Sequence, residues 1–218
     1  MTDFAAARLN MVESQIRTNK VTDPRIIEAF EAIPREMFVE EAKRGFAYVD
    51  EDLELVPGRY LMEPMVLARL LQTAAAEPGD MVLDIGCATG YSTAVLAQLA
   101  ETVVGVECDR GLMDAANRTL NALDVDNAVV VNGQLDAGYQ KQAPYDVILF
   151  QGSVCDVPEG IKRQLADGGR LVAVVCDAAG IGRGTVIQRS GDSYSGRTLF
   201  DAATPLLPGF AREAGFVF

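Results

Sequence analysis

The stretch Val82-Leu83-Asp84-Ile85-Gly86-Cys87-Ala88-Thr89-Gly90-Tyr91 decides the fold. It opens as a short apolar run with one acid in it, which predicts a buried strand. Gly86 and Gly90 punctuate a turn, and Ser92-Thr93-Ala94-Val95-Leu96-Ala97-Gln98-Leu99 then reads as a helix. A strand, a glycine turn and a helix start in that order form a nucleotide-type pocket. Glycines let a ligand approach the backbone, and a helix N-terminus offers unpaired N–H groups.

Outward from this stretch, strand and helix alternate. The pattern predicts strands over 81–85, 102–107, 127–131, 146–151 and 170–176, and helices over 91–100, 110–123 and 158–166. Continuous apolar runs such as Val147-Ile148-Leu149-Phe150 and Leu171-Val172-Ala173-Val174-Val175 imply burial on both faces. That means a mainly parallel sheet covered by helices, a Rossmann-like α/β fold. Its pocket belongs at the carboxyl ends of the strands, beside Val82–Ile85. Past residue 180, Thr185-Val186-Ile187-Gln188 and Arg197-Thr198-Leu199-Phe200 flank a turn with Gly191 and Gly196. They read as an antiparallel hairpin at the sheet edge.

Upstream the chain is helical. Residues 5–18 place Leu9, Val12 and Ile16 on one face with Met11 beside them. Asp23-Pro24 is a helix start, and that helix carries Ile26, Ile27, Phe30 and Ile33 before Pro34 stops it. A short helix is predicted over 35–44 and another over 65–76. Between them, residues 48–64 are acidic, turn-rich and aperiodic, and read as a loop. The chain thus divides into a helical cap with a substrate loop over 1–64 and an α/β domain over 65–218, together one compact unit.

Composition narrows the chemistry. Thirty-one acidic residues against 19 basic ones give a net charge of −12. Nucleic acid needs a basic footprint, and none is visible; anionic membrane surfaces are disfavoured likewise. No apolar run approaches the roughly 20 residues of a membrane span. The N-terminus lacks a secretory pattern, so a soluble, cytoplasmic protein is expected. Cys87, Cys108, Cys155 and Cys176 form no C-x-x-C pair, and there is no histidine. A metal site is therefore not expected. Ser-His-Asp and Cys-His catalysis are excluded, and any chemistry must proceed without imidazole.

A dinucleotide fingerprint needs glycine at relative positions 1, 3 and 6, and from Gly86 these hold Gly86, Ala88 and Tyr91. Tyr91 fits poorly. The spacing acid-x-Gly-x-Ala-x-Gly, with Asp84 two residues before Gly86, is that of class I methyltransferases, which bind S-adenosylmethionine (SAM). Asp84 is placed to meet the ligand's ammonium group, directly or through water. Glu107 ends the second strand, 21 residues after Gly86. An acid there can accept from both ribose hydroxyls. Gln134 or Asp136, after the third strand, is a candidate partner for the adenine amine.

Over about residues 8–210 the sequence resembles the protein-L-isoaspartate O-methyltransferase family. The resemblance lies in Met11-Val12-Glu13-Ser14-Gln15-Ile16-Arg17, Ile33-Pro34-Arg35-Glu36-Met37-Phe38-Val39, Ala47-Tyr48-Val49-Asp50, Pro78-Gly79-Asp80, Ala143-Pro144-Tyr145-Asp146 and Leu165-Ala166-Asp167-Gly168-Gly169-Arg170-Leu171-Val172. It implies methyl transfer from SAM to a carboxylate of isoaspartyl peptides, with S-adenosylhomocysteine as product and no metal. A carboxylate is ionised at neutral pH and needs no general base, which suits a chain without histidine. The cofactor set implied is Asp84, Gly86, Cys87, Ala88, Gly90, Tyr91, Glu107, Cys108, Gln134 and Leu135. The acceptor set implied is Arg59, as anion partner, with Tyr60, Met62 and Ser153. Met62 falls where the family's loop has a serine, and methionine has no hydroxyl donor. Two readings of that difference stay open: a retuned acceptor, peptide or small molecule, or a SAM-binding protein without catalysis.

Overall fold

The computed structural model describes residues 3–177 and 179–211. Its central sheet has seven strands in the order β5-β4-β3-β6-β7-β8-β9. These are β3 (Met81–Ile85), β4 (Thr102–Glu107), β5 (Ala128–Asn132), β6 (Tyr145–Val154), β7 (Leu165–Cys176), β8 (Gly182–Ser190) and β9 (Ser193–Asp201). The β3–β4, β4–β5, β3–β6 and β6–β7 pairings are parallel, whereas β7–β8 and β8–β9 are antiparallel. The sheet is thus mainly parallel with an antiparallel hairpin at its edge, as the patterning predicts. The strand order reverses between β3 and β6. In such sheets that point opens a crevice at the carboxyl ends of the strands, and ligands bind there.

Two helices connect the first three sheet strands. α4 (Tyr91–Ala97) follows the glycine turn, and α5 (Arg110–Ala122) is capped by the Asp109 carboxylate accepting from the Leu112 N–H. Gly86 and Gly90 both take positive φ, 75° and 88°. Any side chain on Gly90 would press on Ala116 of α5, so glycine also sets how closely the two helices approach.

Four sequence expectations are corrected here. The helix predicted over 158–166 is one turn, α6 (Glu159–Lys162), because Leu165 already pairs with Tyr145 as a strand. The loop over 48–64 contains a two-stranded antiparallel ribbon, β1 (Leu53–Val56) and β2 (Arg59–Leu61), turned at Gly58. Its strands are too short to show alternation. Residues 35–44 form tight 3-10 turns, over Arg35–Phe38 and Glu41–Phe46, where an α-helix is predicted. Finally, α1 (Phe4–Met11) widens into a π-helical turn over Val12–Ile16. That change of pitch breaks the 3.6-residue register, so Met11, Val12 and Ile16 are buried while Leu9 is 52% exposed.

The second N-terminal helix, α2 (Pro24–Ala32), starts at the Asp23 cap and buries Ile26, Ile27, Ala29 and Phe30. With α3 (Pro64–Ala74) it packs into the same buried cluster as Val82, Val95 and Leu149 of the α/β layers. Arg35 clamps the junction. Its Nε donates to the Ala47 carbonyl at 2.6 Å, its Nη2 to the Met62 carbonyl at 2.7 Å, and its guanidinium lies 4.8 Å from the Tyr91 ring centre. Among the described residues, no helix is long and apolar enough to cross a membrane.

After β9 the chain does not stop at the sheet. Residues 202–211 fold back as a strap across the carboxyl end of β6. The Ser153 N–H donates to the Pro205 carbonyl and the Leu207 N–H to the Ser153 carbonyl, both at 2.9 Å. Phe210 stacks edge-on against Phe150, with ring centres 5.4 Å apart.

Candidate functional site

The ends of β3, β4 and β6 meet where the strand order reverses. Asp84 and Glu107, two strand-borne carboxylates, are both fully buried there. Their partners differ in kind. Asp84 is held by neutral groups: its Oδ2 accepts from Ser92 Oγ and Thr93 Oγ1, each at 2.7 Å, and its Oδ1 from Gln151 Nε2 at 2.9 Å. Burial pushes its carboxyl up to about 6, against the pull of these three hydrogen bonds.

Glu107 is held by a cation and by backbone. Arg59 Nε donates to its Oε1 at 3.2 Å and Arg59 Nη2 to its Oε2 at 2.7 Å. The Ala88 N–H donates to Oε2 at 2.8 Å, and the Cys108 and Asp109 N–H groups to Oε1 at 2.9 and 3.1 Å. Burial raises its pKa, but the Arg59 hydrogen bonds and charge, with the hydrogen bonds from the Asp109 N–H and Cys108, together outweigh burial and hold the carboxyl below the usual glutamate range.

Arg59 is therefore not the free anion partner expected from the sequence. It is buried, and besides Glu107 its Nη2 donates to the Gly86 carbonyl at 2.6 Å. The ribbon explains this placement. Gly58 turns β1 into β2, and the first residue of β2 then points at the carboxyl ends of β3 and β4.

The other predicted residues fall into three groups. Gly86, Ala88, Gly90, Glu107 and Cys108 surround the carboxyl ends of β3 and β4. Ala88 contributes its N–H from a backbone at φ 51°, and the Cys108 thiol also leans on Glu107. Gln134 and Leu135 follow β5, Gln134 exposed and Leu135 buried. The side chains of the rest point elsewhere in this structure. The Tyr91 ring packs edge-on against Phe30 and Phe38, under the N-terminal helices, because the first turn of α4 faces that layer. Cys87 is buried against Gly105 of β4. The Met62 side chain lies in the main apolar cluster. The Tyr60 hydroxyl donates to Glu54 on the facing strand of the ribbon, so it is directed along the ribbon surface. Ser153 carries the strap through its backbone.

Four contributors were not predicted. Ser92 and Thr93 hold Asp84 from the first turn of α4, and their signal was present: two hydroxyls eight and nine residues after a strand acid. Gln151 reaches Asp84 from the neighbouring strand. Leu207 had no local signal. Its side chain is 2% exposed and lies against both Gly86 and Gly152; a Cβ on either glycine would come within 2.8 Å of it.

These residues bear directly on whether SAM fits. The donor and acceptor types are those that the ligand needs. In this arrangement, however, Glu107 already accepts five N–H bonds, more than the four or so lone-pair sites of a carboxylate. The crevice between Gly86 and Gly152 is filled by Leu207. In the conformation described, Arg59 and Leu207 lie where these carboxylate and glycine faces meet. A cavity of about 380 Å³ opens between Met37–Glu40, Leu55 and α5 and reaches Thr89 of the glycine turn and Asp109; its lining includes neither Asp84 nor Glu107.

Comparison with known proteins gives the family. Residues 7–199 match the model of the family described as protein-L-isoaspartate(D-aspartate) O-methyltransferase. A protein-L-isoaspartate O-methyltransferase of Koribacter versatilis is 38% identical over 175 residues, 80% of this chain and 79% of that one. Another, of Methylorubrum extorquens, is 35% identical over 208 residues, 95% of this chain and 91% of that one. A solved protein-L-isoaspartate O-methyltransferase superposes with a TM-score of 0.82 at 26% identity, over 93% of this chain but 66% of that longer one. A Plasmodium falciparum structure in complex with S-adenosyl-L-homocysteine has the same fold, with a TM-score of 0.78 at 17% identity, covering 95% of this chain and 99% of that one. The glycine turn between two acid-bearing strands, the mainly parallel sheet and the match across most of the sequence agree: this chain belongs to the protein-L-isoaspartate O-methyltransferase family, SAM-dependent enzymes of the class I methyltransferase fold.

Proposed function

We propose that this protein methylates a carboxylate, that of an isoaspartyl residue in a peptide or protein, using SAM. The observation that carries the reading is the family match over residues 7–199, which includes the N-terminal layer as well as the cofactor turn. General methyltransferase folds resemble one another in the sheet; the layer around Arg35 is what adds to the family match here.

The chain's own contribution is positioning. An isoaspartyl carboxylate is ionised at neutral pH, so no residue has to remove a proton, in keeping with a chain that contains no histidine. Correct approach geometry alone supplies about 7–11 kcal/mol of such a barrier. The acidic surroundings of the ribbon, Asp50, Glu51, Asp52, Glu54 and Glu63, oppose an anionic acceptor at this face. In this conformation the ribbon's own arginine, Arg59, is held by Glu107 and the Gly86 carbonyl.

The test is direct. Purified protein, methyl-labelled SAM and an isoaspartyl peptide are expected to give a base-labile methyl ester, with none formed on the aspartyl form of the peptide. Absence of ester under conditions where SAM is bound would overturn the isoaspartyl reading. Label in a different acceptor would assign a retuned substrate.

A further inference from the structure

Two segments remote from the glycine turn lie on top of it: the start of the ribbon, through Arg59, and the strap, through Leu207. We propose that these two side chains are an intramolecular occupant of the cofactor pocket and compete with SAM for it. The identity of the competing ligand rests on the proposed function; the occupancy itself does not.

Arg59 takes the polar half of the site. Its guanidinium donates to the Gly86 carbonyl and to both oxygens of Glu107. These are one backbone acceptor and one strand-end carboxylate, the partners a ligand bearing an ammonium group and ribose hydroxyls requires. Of the five N–H donors on Glu107, three are backbone groups fixed by the turn and by the start of α5. Only the two from Arg59 can leave, and ligand hydroxyls must take their place.

Leu207 takes the apolar half. A Cβ on Gly86 would lie 2.8 Å from its Cδ2, and one on Gly152 2.7 Å from its Cγ. The bare backbone faces of both glycines, one at the end of β3 and one in β6, are thus covered by one leucine side chain. This is the crevice where the strand order reverses, the place open α/β sheets use for ligands.

Neither piece is a strand of the seven-stranded sheet, although Leu55 and Leu61 of the ribbon and Leu207 and Phe210 of the strap are buried against the clusters on its faces. The ribbon forms its own two-stranded sheet, separate from the seven-stranded one, and such a short hairpin is marginal by itself. The strap meets β6 in a single isolated bridge, Ser153 to Leu206, supported by Cys155 N–H to the Phe210 carbonyl and Thr204 Oγ1 to Asp52 Oδ1. The last of these ties the strap to residues just before the ribbon, so the two covers are linked to each other.

Calorimetric titration with S-adenosylhomocysteine tests this on the full chain as wild type, Arg59→Gln and Leu207→Ala. Each variant that melts as a folded protein is expected to bind at least about tenfold more tightly than wild type. Arg59→Gln breaks the buried ion pair but leaves Glu107 its three backbone donors, and either variant that folds carries the test. Hydrogen exchange is the second readout: ligand binding to wild type is expected to raise amide exchange across residues 202–210 as the strap is displaced. If neither folded variant binds more tightly than wild type, the occupant is overturned, whether wild type binds well or not at all. Ligand binding that leaves exchange in 202–210 unchanged overturns the displacement of the strap. Tightened binding with no methyl ester on an isoaspartyl peptide would sink only the proposed function. Ester formation without tightening in either variant would sink only the competition.

Discussion

Asp84 and Glu107 sit on neighbouring strands, are equally buried, and have opposite electrostatics. Asp84 meets two hydroxyls and an amide, so its charge is poorly compensated and burial raises its pKa. Glu107 meets a guanidinium and three backbone N–H groups, so its charge is favoured despite burial. Depth therefore does not set the charge of a strand-end acid here. The sign is set by whether a cation arrives from elsewhere in the chain, and Arg59 arrives from 48 residues upstream.

The largest effect is expected from breaking that pair. Glu107→Gln leaves the Arg59 guanidinium buried without a counter-charge, at a cost of about 3–5 kcal/mol in urea unfolding at pH 7. A loss below about 1 kcal/mol would show that Arg59 does not depend on Glu107 and would dissolve the contrast. Leu207→Ala comes next. Burial predicts a loss of about 2 kcal/mol in thermal or urea unfolding, at the low end for Leu→Ala because an irregular strap can settle into the gap.

The pH profiles sharpen the contrast further. Asp84 has a folded pKa raised from 3.8 to about 6. Its contribution to stability is complete below the lower value and is lost as pH rises through the higher one. Glu107 has a lowered folded pKa, so its contribution is present above the ordinary glutamate range and is lost as pH falls. Urea unfolding between pH 4 and 8 should therefore show Asp84→Asn flattening the decline towards pH 6, by about 1–2 kcal/mol. Glu107→Gln should flatten the acid-side loss instead. Profiles shifting in the same direction would contradict the opposite pKa shifts of the two acids.

Glu63, beside the ribbon, gives the smallest effect. Burial, then Asp52, Asp50 and Glu51, raise its pKa from 4.5 to about 7. Glu63→Gln is expected to stabilise the protein above pH 7 by less than about 1 kcal/mol, since solvent screens a half-buried group. The gain should vanish below pH 4.5. A gain that persists in acid would assign it to packing and not to charge.

The amino-acid sequence alone determined the glycine turn, because every requirement there is local. An apolar run makes a strand, Gly86 and Gly90 permit positive φ, and helix periodicity resumes at once. The same locality made the alternating strands, the edge hairpin and the Asp23 helix cap legible. Helix pitch after Met11 and strand entry at Leu165 were not, since each depends on what packs or pairs across the fold. The candidate site divides in the same way. Asp84 and Glu107 are readable from spacing, and so in principle are Ser92 and Thr93. Only the tertiary structure decided what those acids bind. Arg59 and Leu207 are brought to the switch point by a ribbon and a strap from opposite ends of the chain, and loop closure over such distances leaves no periodic trace in the residues that perform it.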